Sequence, residues 1–414
     1  MPSSPPPTDG FRLSSVIPTV YLPAALFGVG SGAVAPVIVL SARDLGASIG
    51  VASLIVALTG IGQLIGDLPA GAFAAKVGER RAMLLAVVLI AATLVACIAA
   101  TEVWMLGLAI GLLGLANAVW GIARHTYLTE VVPYRMRARA MSTLGGTHRI
   151  GMFIGPFVGA AAMQWWGTDG AYWVKLAAVI AAGTLVAVLP DPARGTASER
   201  GGSSVGETFH VLRTHLPVFR TLGLGAMTVG AVRASRQVVI PLWAEHVGAD
   251  PTTTSIIFGI AGAVDMALFY PAGKAMDRFG RIWVAVPCML VMAVSHLLIP
   301  LTTTPGWLLA AAILMGLGNG MGSGIIMTLG ADASPAVGRP AFLGGWRLCA
   351  DTGNAGGPVL ISAVTAVTAL APAVLVMGGV GLLGAAALAK WIPRPDASPG
   401  QPVKRNRSST SAAG

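Results

Sequence analysis

Arg233, Arg236 and Gln237 stand at i, i+3 and i+4, a spacing that places three side chains on one face of a helix. Two cations there could receive an anionic or polar solute, or they could pair with a carboxylate such as Asp265. Arg149 lies in another apolar stretch, and His148 beside it titrates near neutrality, which makes it a candidate for handling protons. Asp67, Arg347 and Asp351 are further charges inside apolar sequence, where an ionised group is expensive and faces a cavity or a partner. Asn117 and Asn319 add amides that could line a cavity or hydrogen-bond between helices. Nothing here suits covalent chemistry. The chain has no Walker loop, HExxH pair or Rossmann fingerprint. "GSSVG", residues 202–206, fits the nucleophile-elbow pattern, but no apolar strand leads into it. We expect no enzyme, no cofactor and no metal site. Cys97, Cys288 and Cys349 lie in apolar runs and read as buried small side chains.

Charge is scarce in the elements that must position these groups. The 414 residues are 55% hydrophobic and 11% charged, with a mean hydropathy of +0.75, far above a soluble globular chain. A helix needs about 20 apolar residues to cross a bilayer core. Twelve such stretches recur between 16–40 and 369–391, so the expected fold is an all-α polytopic membrane protein of twelve transmembrane helices. The long continuous runs exclude a β-barrel, whose segments are short and alternating. The first run is too long for a signal peptide and contains Pro18, Pro23 and Pro36. The Pro/Ser-rich tails, 1–15 and 393–414, are expected to be disordered.

A net charge of +10 could indicate nucleic acid, but its location argues otherwise. Arg43 and Lys175 are placed outside, and Arg149, Arg233, Arg236 and Arg347 within the membrane. The other Lys and Arg fall in the termini and in segments that share one side if both ends are cytoplasmic. That is the positive-inside bias. No nucleic-acid motif supports a different partner, and contact with acidic lipid headgroups is a by-product of the same charge.

"GKAMDRFGR" at 273–281 and "GAFAAKVGE" at 71–79 lie 202 residues apart, and the same shift relates other features. Gly114 and Asn117 meet Gly316 and Asn319, Gly28 meets Gly230, and "GMFIGP" from Gly151 meets "GNAGGP" from Gly353. Arg149 meets Asp351 with opposite sign, and Asp265 meets Gln63. One constant shift across five spans implies two six-helix halves in parallel repeat, 16–189 and 218–392, joined by a cytoplasmic linker over 190–217. Two such halves with a site between them is the architecture of a rocking carrier.

These motifs resemble the major facilitator superfamily over nearly the whole chain. Its hinge motif is matched by Gly273, Asp277, Arg278, Gly280 and Arg281; the first copy keeps Gly71, Lys76, Gly78 and Arg80 but has Ala75 at the aspartate position. "GMFIGPFVGA" resembles the drug/proton antiporter motif of span five, with Gly151, Gly155 and Gly159 on one face and Pro156 bending the helix. "GSGAVAPV", from Gly30, resembles the span-one motif. The arginine that the antiporter pattern places in span four is Ile110 here, so any proton coupling must use other groups.

The resemblance implies a transporter working by alternating access on a small-molecule substrate: proton-coupled efflux of a small organic or drug-like solute, by a monomer in a bacterial inner membrane. A proton-linked uptake carrier or facilitator for a polar or anionic metabolite stays open, as does a transporter-like receptor or scaffold. The family fold packs span five beside span eight and span two beside span eleven. At 1.5 Å per residue, Arg149 lies about 12–15 Å from the cytoplasmic end of its span and Asp265 about 12 Å from its own. We expect these two to meet when that side closes and part when it opens. They are either gating or coupling residues or a permanent ion pair. The same arithmetic matches Asp67 to Arg347 and Gln63 to Asp351. His296, alone among apolar neighbours, is expected to be a packing histidine.

Overall fold

The computed structural model describes residues 17–133, 136–189, 205–335 and 337–393. The expected N-terminal tail, the C-terminal tail beyond Pro393 and the linker before Val205 lie outside the described residues.

A short π-helical turn, Ile17–Tyr21, leads into α1 (Leu22–Val34), which Pro36 separates from α2 (Val37–Asp44). The first set continues with α3 (Ile49–Val77), α4 (Glu79–Ile98), α5 (Val103–Val131), α6 (Arg137–Trp166) and α7 (Asp169–Val188). Within the linker, α8 (Val205–Thr214) and α9 (Leu216–Val218) lead to α10 (Leu224–His246). The last residues of "GSSVG" therefore begin a helix, not the strand-to-helix turn a nucleophile elbow needs. The second set is completed by α11 (Pro251–Phe279), α12 (Ile282–Leu298), α13 (Pro305–Met321), α14 (Ile325–Ala333), α15 (Arg339–Val367) and α16 (Leu370–Trp391). The described residues contain no strand.

Nine spans among the described residues are long and apolar enough to cross a membrane. Three more helices are long enough but more polar: α6, α10 and α15, of 30, 23 and 29 residues. They are the helices that carry Arg149, Arg233 with Arg236, and Arg347 with Asp351. Added to the nine, they are consistent with the twelve spans expected from the sequence, with the polar three packed among the others.

The shift of 202 reaches the helix ends. Ile49–Val77 and Pro251–Phe279 superpose residue for residue in sequence, and the start of α6 at Arg137 meets the start of α15 at Arg339. The N-caps Ser48 and Asp250, also 202 apart, accept from Val51 N–H and Thr253 N–H. Donation from the Thr253 hydroxyl and amide holds the Asp250 carboxyl below its usual range. Gly78 (φ 88°) and Gly280 (φ 92°) end equivalent helices in the positive-φ region that glycine tolerates.

Packing follows the same division. Helices α1–α7 pack with one another and α10–α16 with one another. Close approach is set by small residues. A Cβ on Gly155 would meet Gly32 Cα at 2.7 Å, and one on Gly357 would crowd the Ala231 backbone, so α6 lies against α1 as α15 lies against α10. Two long seams join the groups, α6 with α11 and α3 with α15, as the family resemblance led us to expect, and a shorter contact joins α2 to α10. At one end the seam is tight. Arg43 of α2 and Glu245 of α10, themselves 202 apart, meet at 3.0 Å, and a Cβ on Gly50 at the start of α3 would stand 3.3 Å from the Ser362 carbonyl of α15. At the opposite end, which carries the hinge motifs, a Cβ on Gly71, Gly273 or Gly344 would meet nothing within 4 Å.

Lys175 corrects the sequence reading. It does not sit outside: it is 3% exposed within α7, with Nζ 5.6 Å from the centroid of the Phe27 ring. It lies a turn and a half inside α7, and the aromatic face gives the ammonium a partner that a charge tally along the sequence does not register.

Candidate functional site

A cavity of about 420 Å³ lies between the two groups and draws its lining from both. From the first group, α3 contributes Gln63 and α6 contributes His148 and Arg149. From the second, α10 contributes Arg233, Arg236 and Gln237, α11 contributes Asp265, and α13 contributes Asn319. The i, i+3, i+4 spacing on α10 does place its three polar groups on one cavity-facing surface.

The residue that organises this surface is Asp265. Arg236 Nη1 stands 3.6 Å from Asp265 Oδ2, Asn319 donates its amide to the same oxygen, and the Ser323 hydroxyl donates to Oδ1 at 3.4 Å. Arg149 does not touch Asp265; its Nη1 donates to the Ser323 hydroxyl at 2.9 Å, and its guanidinium lies 4.6 Å from the Phe269 ring centroid. Arg149 and Asp265 thus reach the same serine, and its hydroxyl stands between the two charges. Arg236 takes the direct ionic contact, one of the two roles left open for it.

Ser323 was not singled out in the sequence. It belongs to "NGMGSG", 319–324, where α13 ends at Met321 and α14 begins at Ile325. Gly324 (φ 85°) makes the break. The equivalent stretch of α5 runs unbroken, so the repeat comparison hides it. Arg233 is fixed by that break: its Nη2 donates to the carbonyls of Asn319 and Gly322 at the C-terminal end of α13. A cation suits the negative end of a helix dipole. Arg233 thus lines the cavity while holding a helix end.

Most other expected groups have partners of their own. Arg347 bridges Asp67 at 3.6 Å across the α3–α15 seam and Asp351 at 3.3 Å on its own helix, outside the cavity lining. Asp351 also accepts from Asn354, and no hydrogen bond joins it to Gln63 among the described residues. His148 Nδ1 stands 3.4 Å from the Ala24 carbonyl, and Phe27 lies against its ring. Asn117 does not line the cavity, and its Oδ1 is buried without a hydrogen-bond partner among the described residues. His296 is a packing histidine, held by the Ser235 hydroxyl and the Met292 carbonyl. Cys97 and Cys288 are buried free thiols, and Cys349 is half-buried.

At the hinges, Arg80 donates to the carbonyls of Val186, Ala187 and Leu189, tying the start of α4 to the end of α7. Arg281 pairs with Asp332 at 2.8 Å. Asp277 and Arg278 are exposed, Arg278 stacks on Phe279, and Lys274 lies over Tyr270. Lys76 is exposed near the end of α3.

The comparisons with known proteins agree with this architecture. Multidrug resistance protein MdtH of Cronobacter sakazakii is 26% identical over 306 residues, 73% of this chain and 75% of that protein. A POT family transporter solved with 5-aminolevulinic acid matches with a TM-score of 0.77 at 10% identity, covering 92% of this chain and 96% of the other. A D-xylose-proton symporter matches with a TM-score of 0.73 at 18% identity, over 92% and 99% of the two chains. The Major Facilitator Superfamily model matches residues 20–234 and again 222–413, so between them the two matches take in nearly every helix described above. On that coverage, this multi-pass membrane protein belongs to the Major Facilitator Superfamily.

Proposed function

We propose that the chain is a secondary active carrier whose two halves, 16–189 and 218–392, rock about the α3–α15 and α6–α11 seams to expose the central cavity to each side in turn. One observation carries this reading. The polar groups that could hold a solute come from both halves and converge midway along their helices, at a seam that is tight at one end and slack at the other. Export of a small organic solute in exchange for protons is the direction we propose, supported by the span-five glycine–proline motif and the likeness to MdtH. Asp265 is the proposed proton site. Protonation would remove the charge that Arg236 faces and weaken its hold on Asn319 and Ser323, loosening the α11–α13 contact. We place the hinge end in the cytoplasm of a bacterial inner membrane, with the carrier acting as a monomer.

A second reading, proton-linked uptake or facilitated passage of a polar or anionic metabolite, is favoured by the three arginines that line the cavity. A transporter-like receptor would need neither a two-sided cavity nor paired charges across a seam. The test is proteoliposome transport with an internal pH dye. Solute-dependent proton movement that is lost in Asp265→Asn is expected; its sign separates export by exchange from uptake by co-transport. Solute flux with unaltered pH dependence in Asp265→Asn overturns the coupling assignment.

A further inference from the structure

The charge in the cavity is unbalanced. Arg149, Arg233 and Arg236 bring three guanidinium groups, and Asp265 is the single carboxylate among the lining residues. Arginine does not shed its proton to relieve this, and an uncompensated cation within a membrane is costly.

The three cations differ in what they still lack. Arg233 is committed to the carbonyls at the end of α13. Arg236 shares Asp265 with Asn319 and Ser323, and its Nη1 has no hydrogen-bond partner among the described residues. Arg149 meets a hydroxyl and an aromatic ring, with no carboxylate within 4.0 Å among the described residues. A cationic solute would have to take Asp265 from three partners while facing three guanidinium groups. An acidic one needs only to displace the Ser323 hydroxyl from Arg149. Met152, Phe153, Phe258 and Met266 supply apolar walls, and a cavity of about 420 Å³ is far larger than an inorganic anion needs.

We propose that the solute is an organic acid, with a carboxylate, sulfonate or phosphate monoester on an apolar or aromatic body, and that its acidic group is received between Arg149 of the first half and Arg236 of the second. This rests on the reading of the cavity as the solute site of a carrier, and it names the class of solute. Guanidinium groups match such oxyanions with paired, charge-assisted hydrogen bonds. Because the two arginines belong to different halves, the bound acid also links the halves across the cavity.

The test uses the full chain in lipid nanodiscs and matched probes: 3-phenylpropionate, 3-phenylpropanol and 3-phenylpropylamine, with benzenesulfonate and phenyl phosphate as further acids. Acids should raise the melting temperature saturably, and the alcohol and amine should not. Arg149→Gln should weaken the apparent affinity for the acids about ten- to hundredfold, the size of a lost charge-assisted contact, with Arg149→Lys in between. In the unaltered chain, a bound acid should protect Arg149 and Arg236 from phenylglyoxal, read by peptide mass spectrometry; this needs no variant. Stabilisation by the amine, binding that Arg149→Gln leaves intact, or no acid binding at all overturns the proposal. Counterflow of the same probes in proteoliposomes separates the two readings. Acid binding without flux keeps the acid site and rejects the carrier; flux of the alcohol or amine without acid binding does the reverse.

Discussion

Removing one member of the Arg236–Asp265 pair leaves a charge with nowhere to go. Both side chains are about 15% exposed, at 15% and 14%, so water offers little relief. Arg236→Met is expected to destabilise the protein by about 3 kcal/mol, and Arg236→Met/Asp265→Asn by less, since breaking a buried pair costs more than replacing it. A double-mutant cycle on thermal stability checks this, and strictly additive effects would show that the two do not act together. A companion cycle on Arg149 and Asp265 should show coupling that Ser323→Ala removes, because that hydroxyl is their link. The charged residues of this site were legible in the sequence because an ionised group in apolar sequence is conspicuous. Ser323 was not, since a serine among glycines costs a membrane helix little and raises no signal. Lys175 was misplaced because a cation satisfied by a ring has no acid to announce it.

Among the helices, the break between α13 and α14 depends on a missing side chain. A Cβ on Gly322 would crowd Cys288 Sγ and stand 2.8 Å from Arg233 Nη2. Gly322→Ala should cost roughly 1–3 kcal/mol, the usual range for overpacking, and displace Arg233 from its carbonyls. Gly71→Ala should not lower the melting temperature of the same preparation and should raise it slightly, because its Cβ would meet nothing and alanine is the better helix former. If Gly71→Ala nevertheless slows transport, that glycine is needed in a different arrangement of the halves. Asp277→Asn belongs to the same test: it is exposed here, so transport should fall without loss of stability. Near-normal transport in Asp277→Asn would reduce the second hinge to inherited structure. Nine of the rods stand out by apolar length alone among the described residues, while α6, α10 and α15 are more polar and carry the charges of the site and the seam. The break between α13 and α14 was written in "NGMGSG", but repeat matching favours what the halves share and passes over what only one has.

For the whole molecule, the tight end of the seam rests on Arg43 and Glu245, whose two carboxylate oxygens lie 3.1 and 3.2 Å from Arg43 Nε. Both are partly exposed, so the pair adds little to overall stability. Its effect should appear in the balance between states. Arg43→Glu or Glu245→Arg alone sets like charges together and should open this end, raising thiol labelling of a cysteine placed in the cavity from that side. The exchanged pair Arg43→Glu/Glu245→Arg should restore the original labelling; failure to restore would mean that the contact does not hold the end shut. Orientation has its own check. Impermeant labelling of a linker cysteine from the periplasmic side would overturn the cytoplasmic placement of residues 190–217. The two-group packing was legible because a shift of 202 carries through helix ends, caps and turn glycines alike. What the shift did not reveal is where it brings a residue against its own counterpart.

Arg43 and Glu245 are such counterparts: each meets the residue at its own position in the other half. In a true homodimer of one half, a residue on the axis faces its own copy, so the first half paired with itself would set Arg43 against Arg43 and the second would set Glu245 against Glu245. The lock therefore needs the two halves to differ in sign at this one position, and a chain built from two first halves should be unable to close this end.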